Sequence, residues 1–163
     1  MSSLISITDI EWIDIPTKDV ILRGKRLDAS NYEINSEKSK KFLQNSNLEL
    51  VPLLGKNGYL QNAFFPGRFK RNYVEKGIPF LGSSEILQTR PKPIKFLSIK
   101  THKAQTDLFV KENYVLVSRS GTTGKIVFST KHFENIALSD HIIRLVPKNF
   151  DDAACLYVYL KTE

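Results

Sequence analysis

The sequence predicts an α+β domain: a twisted, mostly short-stranded β-sheet with a few helices and, at the end, the first turns of a C-terminal helix. Three observations lead there. Apolar runs rich in β-branched and aromatic residues recur at short intervals, as in Tyr114 to Val117 and in ENIALSDHIIRLVP. Turn pairs such as Asn57-Gly58 and Pro66-Gly67 punctuate the chain. Only two segments read as regular helices.

From Ile10 to Leu22 the pattern is mixed and interrupted by Pro16, which predicts short strands or a turn. Arg23 to Tyr32 is polar and reads as loop. NSEKSKKFLQNS predicts a short exposed helix with Asn35 or Ser36 as N-cap, held down by Phe42 and Leu43. The apolar run Leu48 to Leu54 ends at Gly55, and KNGYLQNAFFPGRFKRNY reads as an irregular, loop-rich surface element. IPFLG predicts a buried strand, and SSEIL a capped helical turn. Thr89 to Lys103 is basic and proline-bearing, with Phe96, Leu97 and Ile99 as its apolar anchors. Leu108, Val110, Tyr114 to Val117, KIVFST and ENIALSDHIIRLVP then read as consecutive strands with short connections. In NFDDAACLYVYLKTE the period changes: Ala153, Leu156, Tyr157 and Leu160 share one helical face, with Asn149 or Asp151 as cap.

With 163 residues, 41% of them hydrophobic, the chain can bury a substantial core, and one domain over 1–150 followed by a helix over 151–163 is expected. The 24 Lys and Arg exceed the 17 Asp and Glu, for a formal charge of +7, which favours an anionic partner. One cysteine, Cys155, allows neither an internal disulfide nor a cysteine-built zinc cage. No window nears the roughly 18–20 uninterrupted apolar residues of a membrane span, and the N-terminus lacks a basic leader, so a cytoplasmic protein without membrane contact is expected.

The stretch Val117 to Ile126, VSRSGTTGKI, invites three chemical readings. A phosphate-binding Walker loop needs glycine five residues before the Gly-Lys pair and a hydroxyl after it, yet Arg119 and Ile126 occupy those places. Gly121-Thr122-Thr123-Gly124 matches the GxxG clamp of KH domains, but that clamp joins helices and this one joins strand-like runs. A serine hydrolase would pair Ser118 or Ser120 with His141; neighbouring Asp140 would point to the opposite face of a strand and could not orient the imidazole. His102, His132 and His141 lack metal-ligand spacing, so no metal site is expected. What remains is cationic and aromatic: Arg68, Lys70, Arg71 and Lys76 interleave with Phe69 and Tyr73, and Arg90, Lys92, Lys95, Lys100 and Lys103 follow.

GRFKRNYVEKGIPFLGSSEIL, then FVKENYVLVSRSGTTGKI, then ALSDHIIRLVP, in that order, closely resemble the target recognition domain of DNA specificity subunits in type I restriction-modification systems. The resemblance spans roughly Lys25 to the C-terminus, RLDASNY included. It implies a non-catalytic module that reads one half of a split double-stranded DNA target. Modification subunits carrying S-adenosylmethionine would do the methylation, with a restriction subunit as a possible further partner. No cofactor is expected on this chain itself. A whole specificity subunit has two such domains, each followed by a long helix. This chain therefore resembles one half, completed through its C-terminal helix by a second copy or a second recognition domain.

The expected DNA contacts are Arg68, Lys70, Arg71 and Lys125 on phosphates, with some of Arg90, Lys92 and Lys95. Gln88, Arg90 and Gln105 are candidates for base readout, and the turn residues Arg119, Ser120, Thr122 and Thr123 for backbone contact. Two rival functions stand beside this one: a small hydrolase using Ser120 and His141, and an RNA-binding module stacking bases on Phe64, Phe65 and Phe69.

Overall fold

A computed structural model describes residues 13–162 of the chain except 23, 26, 28–31, 89 and 122. It divides into two compact units, Met1–Leu50 and Val51–Glu163.

In the first unit, helix α1 spans Thr17–Leu22, where a strand or turn was expected. Pro16 begins this helix instead of breaking it, because its carbonyl accepts from the N–H groups of Asp19 (2.9 Å) and Val20 (3.3 Å). Helix α2 spans Ile34–Asn45, and its cap is Glu33, not Asn35 or Ser36. The Glu33 carboxylate accepts from the backbone N–H of Asn35 at 3.1 Å and Ser36 at 2.7 Å, so the helix starts earlier than a Ser/Asn cap would set it. These N–H bonds favour the ionised form and hold its pKa below the usual carboxylate value. Phe42 is 72% exposed within this chain. Most of Arg23 to Tyr32 lies outside the described residues.

The second unit carries two four-stranded sheets, not one. The first comprises β1 (Leu60–Phe64), β5 (Val115–Ser118), β6 (Ile126–Phe128) and β8 (Ile142–Pro147), in the order β1-β8-β5-β6 and antiparallel throughout. The second comprises β2 (Tyr73–Val74), β3 (Ile78–Leu81), β4 (Lys95–Leu97) and β7 (Ala137–Leu138), in the order β2-β4-β3-β7. Its β3–β7 pair is parallel. Strand β1 corrects the reading of residues 56–73 as wholly irregular: its antiparallel pairing with β8 (Ala63 opposite Leu145) and the burial of Leu60 make it an edge strand, with a register shift between Leu60 and Asn62. A turn of 3-10 helix covers Glu85–Leu87, as SSEIL suggested. The short helix α3 spans Ile99–His102, where Ile99 proves 53% exposed and anchors nothing; Leu97 carries that burial.

One apolar cluster joins the sheets: Leu81 of β3, Leu138 of β7, Leu116 of β5 and Ile142 of β8 close around Ile86, Val110 and Phe133. A second holds helix α4 (Phe150–Lys161) across β5, β6 and β8, with Ala153 and Leu156 buried and Tyr157 and Leu160 packed beside them. Asn149 caps α4 by accepting from the N–H of Asp152 at 2.8 Å. Each fully buried leucine here contributes about 1.5–3 kcal/mol relative to exposure, so the clusters fix how the sheets and α4 sit within this unit.

Candidate nucleic-acid interface

Arg144 occupies an interior position of β8 with no exposed surface. Its guanidinium donates to the carbonyls of Leu138 (2.9 Å), Ser139 (3.0 Å), Ile142 (2.5 Å) and Leu108 (3.4 Å), while its Nε lacks a partner. Burial pushes its pKa down to about 10, against the opposing charges of Asp107 and Asp140, and the group stays charged at neutral pH. Three of the four carbonyls bracket the β7–β8 connection: Leu138 ends β7, Ser139 lies in the connection and Ile142 begins β8. Arg144 therefore pins the turn that presents Asp140 and His141.

Asp140 is buried and accepts from Arg71 at 2.6 Å and from the Ser139 hydroxyl at 3.3 Å. Burial acts to raise its pKa, but the Arg71 hydrogen bond, a backbone N–H and the Arg71 charge outweigh it, and the net shift is downward. The Arg71 guanidinium also lies 5.7 Å from the ring centres of Phe69 and Phe80. His102, wholly buried, holds the same segment: its Nε2 accepts from the Asn72 N–H at 3.3 Å and its Nδ1 sits 2.8 Å from the Gln105 amide oxygen.

The stretch Val117 to Ile126 is a strand, a tight turn and a second strand. Ser118 closes the turn, its N–H donating to Lys125 O and its carbonyl accepting from Gly124 N–H, both at 2.9 Å. Its hydroxyl accepts from the Lys125 N–H at 3.0 Å. Gly121 and Gly124 have φ of 78° and 79°, the left-handed angles that L side chains resist. On the β8 side, Arg119 N–H donates to His141 O at 2.8 Å, and the Arg119 guanidinium stacks 4.2 Å from the Phe65 ring centre.

These segments meet at an open cleft of about 610 Å³ lined by Phe65, Pro66, Arg68, Phe69, Arg71, Tyr73, Arg119, Asp140 and His141. Of the residues singled out from sequence, the cleft unites Arg68, Arg71 and Arg119, with Ser120 bonded to its His141. Gln88 and Lys125 line a separate groove with Phe128, Tyr157 and Lys161. Lys70, Arg90 and Lys92 are exposed and line neither depression, and Lys95 pairs with Glu85 at 3.7 Å. The Gln105 amide oxygen is engaged with His102, Thr123 donates weakly to Arg119 O at 3.4 Å, and Thr122 lies outside the described residues. Sequence reasoning named Phe65 only for RNA stacking and Asp140 only as a failed triad acid, and it missed Arg144 as the support of the turn that carries Asp140. The signal for Asp140 was its place in SDH beside the GRFKR arginines, which only the fold brings together.

The serine and imidazole do meet: Ser120 Oγ lies 2.6 Å from His141 Nδ1. The catalytic arrangement does not. Asp140 and His141 lie in the β7–β8 turn and not on a strand, so the alternation expected from sequence does not apply; Asp140 is engaged by Arg71 instead of the other ring nitrogen, and His141 lines a cleft with three arginines.

The positive charge is not spread evenly along the chain. The second unit holds 17 Lys and Arg against 9 Asp and Glu, a balance of +8, whereas the first holds 7 against 8, a balance of −1. Among the described residues no helix is long and apolar enough to cross a membrane, and no cluster of three or more His, Cys, Asp and Glu is placed to hold a metal.

Comparison with known families matches residues 56–163 to the type I restriction modification DNA specificity domain, starting later than the Lys25 boundary expected from RLDASNY. Comparison with curated proteins returned no match.

Proposed function

The chain belongs to the type I restriction modification DNA specificity domain family, and on that premise we propose that its arginine-lined cleft seats the phosphate backbone of duplex DNA. The domain's role is to target a restriction-modification complex to a DNA sequence. It is non-catalytic and binds no cofactor itself, and S-adenosylmethionine is carried by the partner subunits with which it associates.

The observation that carries the site assignment is the convergence of Arg68, Arg71 and Arg119 from two segments far apart in sequence into one cleft. Their roles divide. Arg71 is held by Asp140 and shapes the cleft wall; Arg68 and Arg119, both exposed, present guanidinium donors to phosphate. Lys125 and the exposed Lys70, Arg90, Lys92 and Lys95 extend the basic face, with Ser120 and Thr123 on its turn. Gln88, in the second groove, and Gln105 are the amide candidates for adenine readout. The working assembly pairs this domain with a second recognition domain or second copy through α4, in the cytoplasm.

Replacing Arg68 and Arg119 singly by alanine tests the assignment. Duplex affinity, read by fluorescence anisotropy with modification subunits present, falls for each variant by a similar factor on all sequences. Unchanged affinity in both contradicts it.

A further inference from the structure

We propose that the turn between β5 and β6 enters the major groove of the DNA and is straddled by the two phosphate walls, with Arg119 and Arg68 facing one strand and Lys125 and Lys161 the other. The inference rests on the cleft reading above and adds which element enters the duplex and how its cations divide between strands.

Four observations support it. First, β6 is last in the order β1-β8-β5-β6, so the β5–β6 ribbon has an inner edge toward β8 and, among the described residues, an outer edge with no strand partner. Second, the two edges carry separate cations in separate depressions. Arg119, bonded through its N–H to His141 O, lines the cleft with Arg68. Lys125 lines the groove with Lys161 of α4, and the two linings share no residue. Third, the tip between them is small and open. A Cβ at Gly124 would meet nothing within 4 Å, and one at Gly121 only the Ser83 hydroxyl at 3.7 Å. Fourth, the base of the turn is closed: Ser118 makes three hydrogen bonds across it, to Gly124 and Lys125, and is itself 1% exposed.

A two-stranded ribbon fits the major groove, about 12 Å wide, and not the minor groove, about 6 Å wide. In the major groove the backbones of opposite strands flank the ribbon, which matches cations on both of its edges. The hydroxyls of Ser120 and Thr123 are engaged internally, with His141 and Arg119 O. With those two hydroxyls engaged, side chains at the flanks of the turn, Gln88 in the Lys125 groove among them, are the ones placed for base readout.

The single cysteine makes the test direct. In a Cys155→Ser background, Arg119→Cys and Lys125→Cys are each coupled to an iron–EDTA cleavage tether. Each is then bound, with modification subunits present, to a duplex carrying the sequence that methylation mapping of the host identifies, end-labelled on either strand. The proposal expects the tether at 119 to cut mainly one strand and that at 125 mainly the other. It also expects netropsin, a minor-groove ligand, to leave binding unchanged, and Lys161→Gln to lower the salt slope by about 0.9. Cuts from both positions on the same strand, displacement by netropsin, or an unchanged slope for Lys161→Gln overturns it. Binding without cleavage from either position overturns this inference while leaving DNA binding intact, whereas loss of all duplex binding by the unsubstituted complex overturns the cleft reading itself.

Discussion

Asp140 and Arg71 illustrate how single residues set the site. In the cleft proposed for phosphate, a carboxylate holds one arginine at 2.6 Å and so fixes one wall beside the other two. Because the native pKa of Asp140 lies below its unfolded value, the unfolded chain binds more protons near pH 4, and stability rises with pH through that window. The contribution is complete above the ordinary carboxylate pKa and is lost as pH falls through the depressed one. Asp140→Asn is therefore expected to lower stability by about 1–3 kcal/mol at neutral pH and to flatten the acid side of the stability curve, as denaturant titrations at several pH values would read. Arg144→Met strips donors from four buried carbonyls and is expected to cost about 3–5 kcal/mol; a loss under 1 kcal/mol would refute its role as the pin of the β7–β8 turn. Neither role was legible in sequence. An arginine inside a β-branched run looks like a surface residue until the carbonyls around it are placed, and Asp140 read only as a residue unable to orient His141.

At the scale of elements, legibility followed the range of the interactions. IPFLG, KIVFST and the C-terminal helix declared themselves through local pattern, and the cap at Asn149 with the buried Ala153 and Leu156 follows from that pattern. Strand β1 did not, because Leu60 to Phe64 gains its partner, β8, from more than eighty residues away. Helix α1 was hidden by Pro16, which looks identical in sequence whether it ends one element or begins the next. The turn of VSRSGTTGKI was readable as a turn, since glycine spacing is local, but its place between two cationic depressions was not. Two glycine substitutions separate backbone angle from crowding. Gly124→Ala meets open space and carries only the strain of φ 79°, about 1 kcal/mol. Gly77→Ala drives a methyl into the backbone carbonyl of Leu97 and is expected to destabilise by clearly more. Comparable thermal unfolding of the two variants would contradict this assignment.

Across the whole molecule, net charge pointed to a polyanion and three motif blocks pointed to a family, and the family match bears out that reading over residues 56–163. Sequence order could not show that the blocks GRFKR, SRSGT and SDH supply one cleft, since their meeting depends on both sheets and the cluster joining them. The +8 balance of the second unit makes duplex binding depend on released counterions. Anisotropy of the full chain with its modification subunits, titrated on duplex DNA over a range of salt, measures this most directly. Affinity should fall steeply as salt rises, and the slope should become shallower by about 1.8 when Arg68 and Arg119 are both replaced by alanine. A slope that stays the same in the double variant would place the phosphates elsewhere and contradict the cleft.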